Sequence, residues 1–241
     1  MNPYAEKKTA VYIRKIGRTI NRHSMIGAGD RIAAAFSGGK DSLVMLHALA
    51  ERRKHIPIDY EIFAVHVKIE SIGYKLNTDF AEKFCADLGV SLHIIDDTIK
   101  GSPGDNPCAI CAMTRRNALF RFCEKHQCGT LAFGHHMNDA VETLLMNMAL
   151  HSTIGSMPQN LPIFEGRLKL IRPLLETPEE DIIDYAGLLE LPAAVKDCVY
   201  TKNTSRKRMK KLIDEMELEF PGSIKRIFNS MGHVKPGYLP E

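Results

Sequence analysis

No apolar stretch of this 241-residue chain approaches the roughly 20 residues that span a bilayer, which excludes a helical membrane anchor within it. The opening segment, Met1-Asn2-Pro3-Tyr4-Ala5-Glu6-Lys7-Lys8, has no apolar signal region. A cytoplasmic protein is therefore expected, with its six cysteines reduced or holding a metal. An excess of one charge is missing too: 32 Lys and Arg face 29 Asp and Glu, so a strongly cationic body is excluded. No internal repeat and no low-complexity segment is present, so a repeat array is not expected. The remainder is ordinary: 44% hydrophobic and 25% charged residues give material for a buried core in one large domain with appendages.

The pattern along the chain predicts strands alternating with helices. Ala10, Ile13, Ile16, Gly17 and Ile20 keep helical spacing, and a basic amphipathic helix is expected over 7–27. Strands are expected at 31–36, 61–67, 90–95, 129–134 and 168–171. Helices are expected at 42–54, 79–88, 109–126, 138–150, 178–189 and about 203–218, with 151–162 read as a connection. This order predicts an α/β fold: a parallel sheet with helices on both faces. Three parts follow: a basic N-terminal helical segment (1–27), the α/β domain (28–200) and a basic C-terminal helical tail (201–241).

The sharpest feature is Ser37-Gly38-Gly39-Lys40-Asp41-Ser42, between the apolar run Ile32-Ala33-Ala34-Ala35-Phe36 and a helical run beginning Leu43-Val44-Met45-Leu46. A strand, a glycine turn and a helix N-terminus in that order make an anion site, because backbone N–H groups and the helix dipole converge there. The spacing is neither that of a Walker loop nor of a Rossmann fingerprint. It resembles the PP-loop of ATP pyrophosphatases, enzymes that split ATP into AMP and pyrophosphate. The domain is then PP-loop-like and Rossmann-like, of the adenine nucleotide α-hydrolase kind. Ligands of such sheets bind beyond the carboxyl ends of the strands. That rule gathers residues 37–42, the end of the second strand and Gly134-His135-His136. The resemblance implies that strand backbone at Val65, His66 and Val67 reads the adenine.

Pro107-Cys108-Ala109-Ile110-Cys111 sets two thiols three positions apart at a helix start, able to point at one metal. Two thiols do not fill a tetrahedral site, and Cys198, in a non-periodic loop, is the best further ligand. Cys85, Cys123 and Cys128 read as buried small hydrophobes. Taken together, S-G-G-K-D-S, P-C-x-x-C-x-x-x-R-R (ending at Arg115 and Arg116), G-H-H-x-x-D (ending at Asp139) and I-R-P-L (171–174) resemble the tRNA 2-thiocytidine synthetase (TtcA) family over roughly residues 20 to 210. That resemblance implies a [4Fe-4S] cluster on Cys108, Cys111 and Cys198. Some relatives carry a second C-x-x-C at the distal site, where this chain has one thiol. Three thiolates leave one iron open.

The implied reaction is ATP-dependent tRNA thiolation. The C2 oxygen of a tRNA cytidine, at position 32, attacks the α-phosphate of ATP, and sulfur then replaces the adenylated oxygen. Residues 37–42 cradle the phosphates and Lys40 offsets charge on the α-phosphate. Mg²⁺ neutralises pyrophosphate, with Asp41 or Asp139 at the ion or its waters. Asp139 is equally a candidate general base or orienting group. His135 is either a phosphate contact or a structural group. Arg115 and Arg116 face RNA or the cluster. The basic runs at Lys7, Lys8, Arg14, Lys15, Arg18, Arg22 and at Lys202, Arg206, Lys207, Arg208, Lys210, Lys211 either hold RNA phosphate or are solvated helix faces. Expected partners are tRNA and a sulfur donor of the cysteine desulfurase type, with no membrane; a homodimer is left open. The competing readings are a PP-loop ligase of the 2-thiouridine or lysidine type, a desulfurating relative, and a zinc-stabilised nucleotide- or RNA-binding module without catalysis.

Overall fold

A computed structural model describes residues 3–69, 76–99, 107–192 and 205–238, and in them six strands and eight helices, with strands and helices alternating from α1 to α5 as the sequence pattern predicts. The strands are β1 (Arg31–Ala35), β2 (Glu61–Ile69), β3 (Ser91–Asp97), β4 (Thr130–Ala132), β5 (Asn160–Ile163) and β6 (Leu168–Ile171). The helices are α1 (Pro3–Arg22), α2 (Lys40–Arg53), α3 (Thr78–Asp87), α4 (Pro107–Lys125), α5 (Met137–His151), α6 (Glu179–Leu188), α7 (Ser205–Glu219) and α8 (Ser223–Ser230). The sheet order is β3-β2-β1-β4-β6-β5.

Alternation along the strands splits the core in two. Ile32 and Ala34 of β1, with Ile62 and Ala64 of β2, face α1, α2, α3 and α6. Ala33, Phe63, Val65 and Leu131 face α4 through Leu119, Phe122 and Cys123. Ile16 and Ile20 of α1 are each only 1% exposed, so this helix is built into the first layer. Cys85, Cys123 and Cys128 are buried, as expected. Burial pushes the Cys85 thiol up to about 11 and that of Cys123 to about 12, which keeps both as inert thiols.

The sheet departs from the all-parallel expectation at one edge. β5 pairs with β6 antiparallel, inside the stretch read as connection. The two are joined by a tight turn in which Phe164, Glu165 and Gly166 all have positive φ, and so short a link can only reverse the chain. Pro162 lies in β5, an edge strand, where its missing N–H is tolerated. The alternation needed to announce a strand is too short there to be read. α8, after Gly222 (φ 82°), was likewise not expected.

Candidate functional site

β1 delivers the chain to the glycine turn. Phe36 N–H donates to the Val65 carbonyl at 2.9 Å, and the chain then leaves the sheet. Gly38 has φ 78°, a conformation in which a side chain would be strained. Ser42 Oγ donates to the Gly39 carbonyl at 2.8 Å, Ser37 Oγ lies 3.2 Å from Ser42 Oγ, and Gly39 N–H donates to Ser37 Oγ at 3.3 Å. The two hydroxyls thus shape the turn from inside. Gly39 caps α2, whose N-terminus opens onto the turn.

Two further helix N-termini converge on the same place. α5 starts after His136, whose backbone N–H donates to Asp139 Oδ2 at 3.0 Å. α6 starts at Glu179, whose N–H donates to Asn138 Oδ1 at 3.0 Å, while Met137 N–H donates to the Thr177 carbonyl at 3.0 Å. Those two bonds lock α5 and α6 side by side. Three positive helix ends therefore face the turn, an arrangement suited to a polyanion.

The charged side chains form a chain of pairs around it. Lys40 donates to Asp41 at 2.8 Å and to Glu179 at 3.0 Å. Burial opposes the Lys40 charge, but its bonds to Asp41 and Glu179 outweigh burial and lift its pKa above the ordinary value. Burial likewise opposes the Glu179 charge, yet Lys210 and Lys40 hold that carboxyl down to about 2. Arg206 bridges Glu142 (2.8 Å) and Asp139 (2.9 Å), and Lys210 reaches Glu179 at 2.7 Å. His136 Nε2 lies 3.5 Å from Asp139 and 3.9 Å from Asp41. Burial, reinforced by Arg172 and Arg206, drives His135 down to about 4, so its ring is neutral near pH 7. Gly134 is packed on the turn: a Cβ there would meet the Asp41 carbonyl oxygen at 3.0 Å.

The second strand runs past the first. Ala35 is in register with Val65, so β2 continues through Val67 where β1 has ended. Strand alternation turns the Val67 N–H and C=O to the same side as those of Val65, over the turn. His66 Nδ1 sits 2.8 Å from the Phe36 carbonyl, and burial lowers its pKa, leaving a neutral ring that donates there. A cavity of about 90 Å³ is lined by Ser37, His66, Val67, Arg115 and Leu119, among others.

That cavity reaches α4. Cys111, Arg115 and Leu119 recur every four residues and share one helix face. Two of the three line the cavity, so Cys111, which is buried, lies one turn farther along, about 6 Å by helix rise. Cys108 is half-buried in the same first turn. Cys198, the expected third ligand, lies outside the described residues, as does Lys202. Among the described residues no group of three or more His, Cys, Asp or Glu is placed to hold a metal ion. Two thiols at a helix start suit an iron–sulfur or zinc centre that draws its other ligand from elsewhere.

The structure thus gathers Lys40, Asp41, Gly134, His135 and Asp139 around the turn, with Val65, His66 and Val67 at its side. Sequence reasoning missed Glu142, Arg172 and Glu179, and assigned Arg206 and Lys210 only to a basic run. The four-residue spacing of Arg206 and Lys210 was the available sign that they share a face. The N-terminal run behaves differently. Lys8 pairs with Asp184 (2.8 Å), Lys15 with Asp181 and Arg22 with Glu176 (3.0 Å), so half of that cluster is spent on α6 and the segment before it.

Residues 9–215 match the PP-loop domain family. The chain is 35% identical over 232 residues to a tRNA-cytidine(32) 2-sulfurtransferase from Pelobacter propionicus, covering 93% of this chain and 86% of that one. A protein of the same name from Geobacter sulfurreducens is also 35% identical over 232 residues, with 93% and 90% covered. Among solved structures, the U34-tRNA thiolase NcsA from Methanococcus maripaludis with its [4Fe-4S] cluster is similar at a TM-score of 0.74 and 28% identity, over 94% of this chain and 81% of that one.

Proposed function

The chain belongs to the PP-loop domain family and, within it, to the tRNA-cytidine(32) 2-sulfurtransferases, and from that premise we propose how its own residues carry the reaction. It is an ATP-dependent tRNA sulfurtransferase. ATP activates the C2 oxygen of cytidine 32 as an adenylate, releasing pyrophosphate; sulfur takes the place of that oxygen, and AMP leaves with it. Oxide is a poor leaving group and AMP a good one, which is why an ATP site and a sulfur site belong together.

The N–H groups of residues 37–42 and the ends of α2, α5 and α6 hold the phosphates. Lys40 leaves its carboxylates for the α-phosphate and offsets the charge that grows there. Asp41 and Asp139 hold Mg²⁺ or its waters. Val67 backbone reads the adenine, and Gly134 lets the end of β4 lie against the turn. Cys108 and Cys111, with Cys198, hold a [4Fe-4S] cluster, which supplies the sulfur chemistry when bound. Arg115, between thiols and cavity, orients the RNA. A cysteine desulfurase system in the cytoplasm provides the sulfur.

One observation supports this reading: Cys111 shares an α4 face with Arg115 and Leu119, which line the cavity beside the glycine turn. The lysidine-type ligase and the zinc module have no counterpart in it, since neither needs thiols next to nucleotide, and the structurally similar NcsA carries an iron–sulfur cluster. The test is to compare Cys108→Ala with Lys40→Ala in anaerobically purified protein. Cys108→Ala should lose iron and 2-thiocytidine formation while binding ATP; Lys40→Ala should keep its iron and stop adenylation. A Lys40 variant that thiolates tRNA at the wild-type rate refutes the assignment.

A further inference from the structure

Glu179 is shared between two lysines at the mouth of the site. Its Oε1 accepts from Lys40 at 3.0 Å and its Oε2 from Lys210 at 2.7 Å. One turn earlier on α7, Arg206 spans Glu142 and Asp139 at 2.8 and 2.9 Å. Asp41, Asp139, Glu142 and Glu179 thus place four carboxylates beside the turn that must receive a polyphosphate, against three cations, Lys40, Arg206 and Lys210. At these separations an uncompensated carboxylate repels phosphate strongly, because the site is half shielded from water. A phosphate must also win Lys40 away from Asp41 and Glu179. When it does, Glu179 keeps its bond to Lys210, and Asp41, which gives up Lys40, is left to the Mg²⁺ that arrives with ATP.

Resting on the nucleotide reading above, we propose that Lys210, with Arg206, is a positioning residue for ATP: it holds Glu179 neutralised so that Lys40 can exchange its carboxylates for phosphate. Lys210 does not touch ATP in this scheme. It acts through Glu179, and Arg206 does the same through Asp139 and Glu142. α7 is thereby a working part of the nucleotide site, though it comes after the sheet and its glycine turn in sequence.

The test measures Mg-ATP affinity by calorimetry, and KM and kcat for pyrophosphate release, in wild type, Lys210→Met, Lys210→Arg, Glu179→Gln and the Lys210→Met/Glu179→Gln pair, with thermal melts alongside. Lys210→Met should weaken ATP binding about tenfold, raising KM more than it lowers kcat. Lys210→Arg should restore it. The double variant should bind ATP as Glu179→Gln alone does, because no charge remains to be compensated, and it keeps a neutral pair should Lys210→Met by itself fold poorly. ATP binding by Lys210→Met equal to wild type overturns the proposal, as does a double variant no better than Lys210→Met. Wild-type protein that fails to bind ATP at all refutes the nucleotide reading itself, a result distinct from either.

Discussion

Single residues decide whether the turn keeps the shape proposed to take phosphate. Gly134 shows why by contact alone: a Cβ there would lie 3.0 Å from the Asp41 carbonyl oxygen and 3.2 Å from the Ser42 nitrogen, both backbone atoms that cannot swing aside. Gly134→Ala should therefore shift the turn, costing about 1–3 kcal/mol of stability and ATP affinity with it; calorimetry showing unchanged ATP affinity would contradict the close packing. His135 gives a pH dependence. Burial, aided by Arg172 and Arg206, lowers its folded-state pKa from 6.5 to about 4. Above pH 6.5 both folded and unfolded states leave it neutral. As pH falls from 6.5 towards 4 the unfolded chain takes up a proton that the folded one refuses, so stability is lost across that window, on the order of 3 kcal/mol by its end. Urea midpoints at several pH values should fall less steeply for His135→Gln than for wild type, and parallel curves would rule His135 out. The glycines and Lys40 were legible because the turn is contiguous. Glu179 was not: it is 139 residues from Lys40, and nothing local distinguishes it from any acidic residue opening a helix.

At the scale of elements, helix α1 separates what packing does from what charge does. Lys8, Tyr12 and Lys15 bond the carboxylates of Asp184 and Asp181 on α6, while Thr19, Arg22 and His23 bond Glu176 just before it. Most of these groups are partly solvated, and such pairs contribute little each, whereas Ile20 is 1% exposed in the first core layer. Ile20→Ala should cost about 2–5 kcal/mol in chemical unfolding, and Lys15→Ala no more than about 1 kcal/mol. Comparable losses from the two would mean that the ion pairs, not the core, dock the helix. This contrast mirrors what was readable. Buried parallel strands announce themselves as apolar runs, so β1, β2, β4 and β6 were found within a few residues of their ends, while β3, an edge strand with no buried residue, was found from Leu92, Ile94 and Ile95. The β5 edge strand is four residues, with a proline and exposed positions, and carries no such run. The partners of α1 were unreadable because its charges meet acids more than 150 residues away, which no periodicity records.

On the whole molecule, a formal charge of +3 leaves no general attraction for RNA, so binding has to be local. Lys7, Arg14 and Arg18 stay exposed on α1, so pairing and position together decide between that face and the mouth of the site. Lys8, Lys15 and Arg22 are occupied by α6 and the segment before it, and Arg206 and Lys210 by the carboxylates beside the glycine turn. Arg116 remains exposed on α4 next to Arg115, which lines the cavity, and Arg208 remains exposed on α7. These lie on the two elements that flank the carboxyl ends of the strands, where a cytidine drawn from its loop must enter. Each phosphate contact adds roughly one counterion to the salt dependence of binding. Arg116→Ala combined with Arg208→Ala should therefore weaken tRNA binding and flatten the slope of log affinity against log salt by about 1 to 2. Lys8→Ala should leave that slope unchanged although it removes the same kind of charge. Fluorescence anisotropy of labelled tRNA over a salt series reads both. A slope that responds to Lys8 and ignores Arg116 and Arg208 would place the RNA along α1, away from the thiols, and would break the link between where tRNA docks and where its base is thiolated.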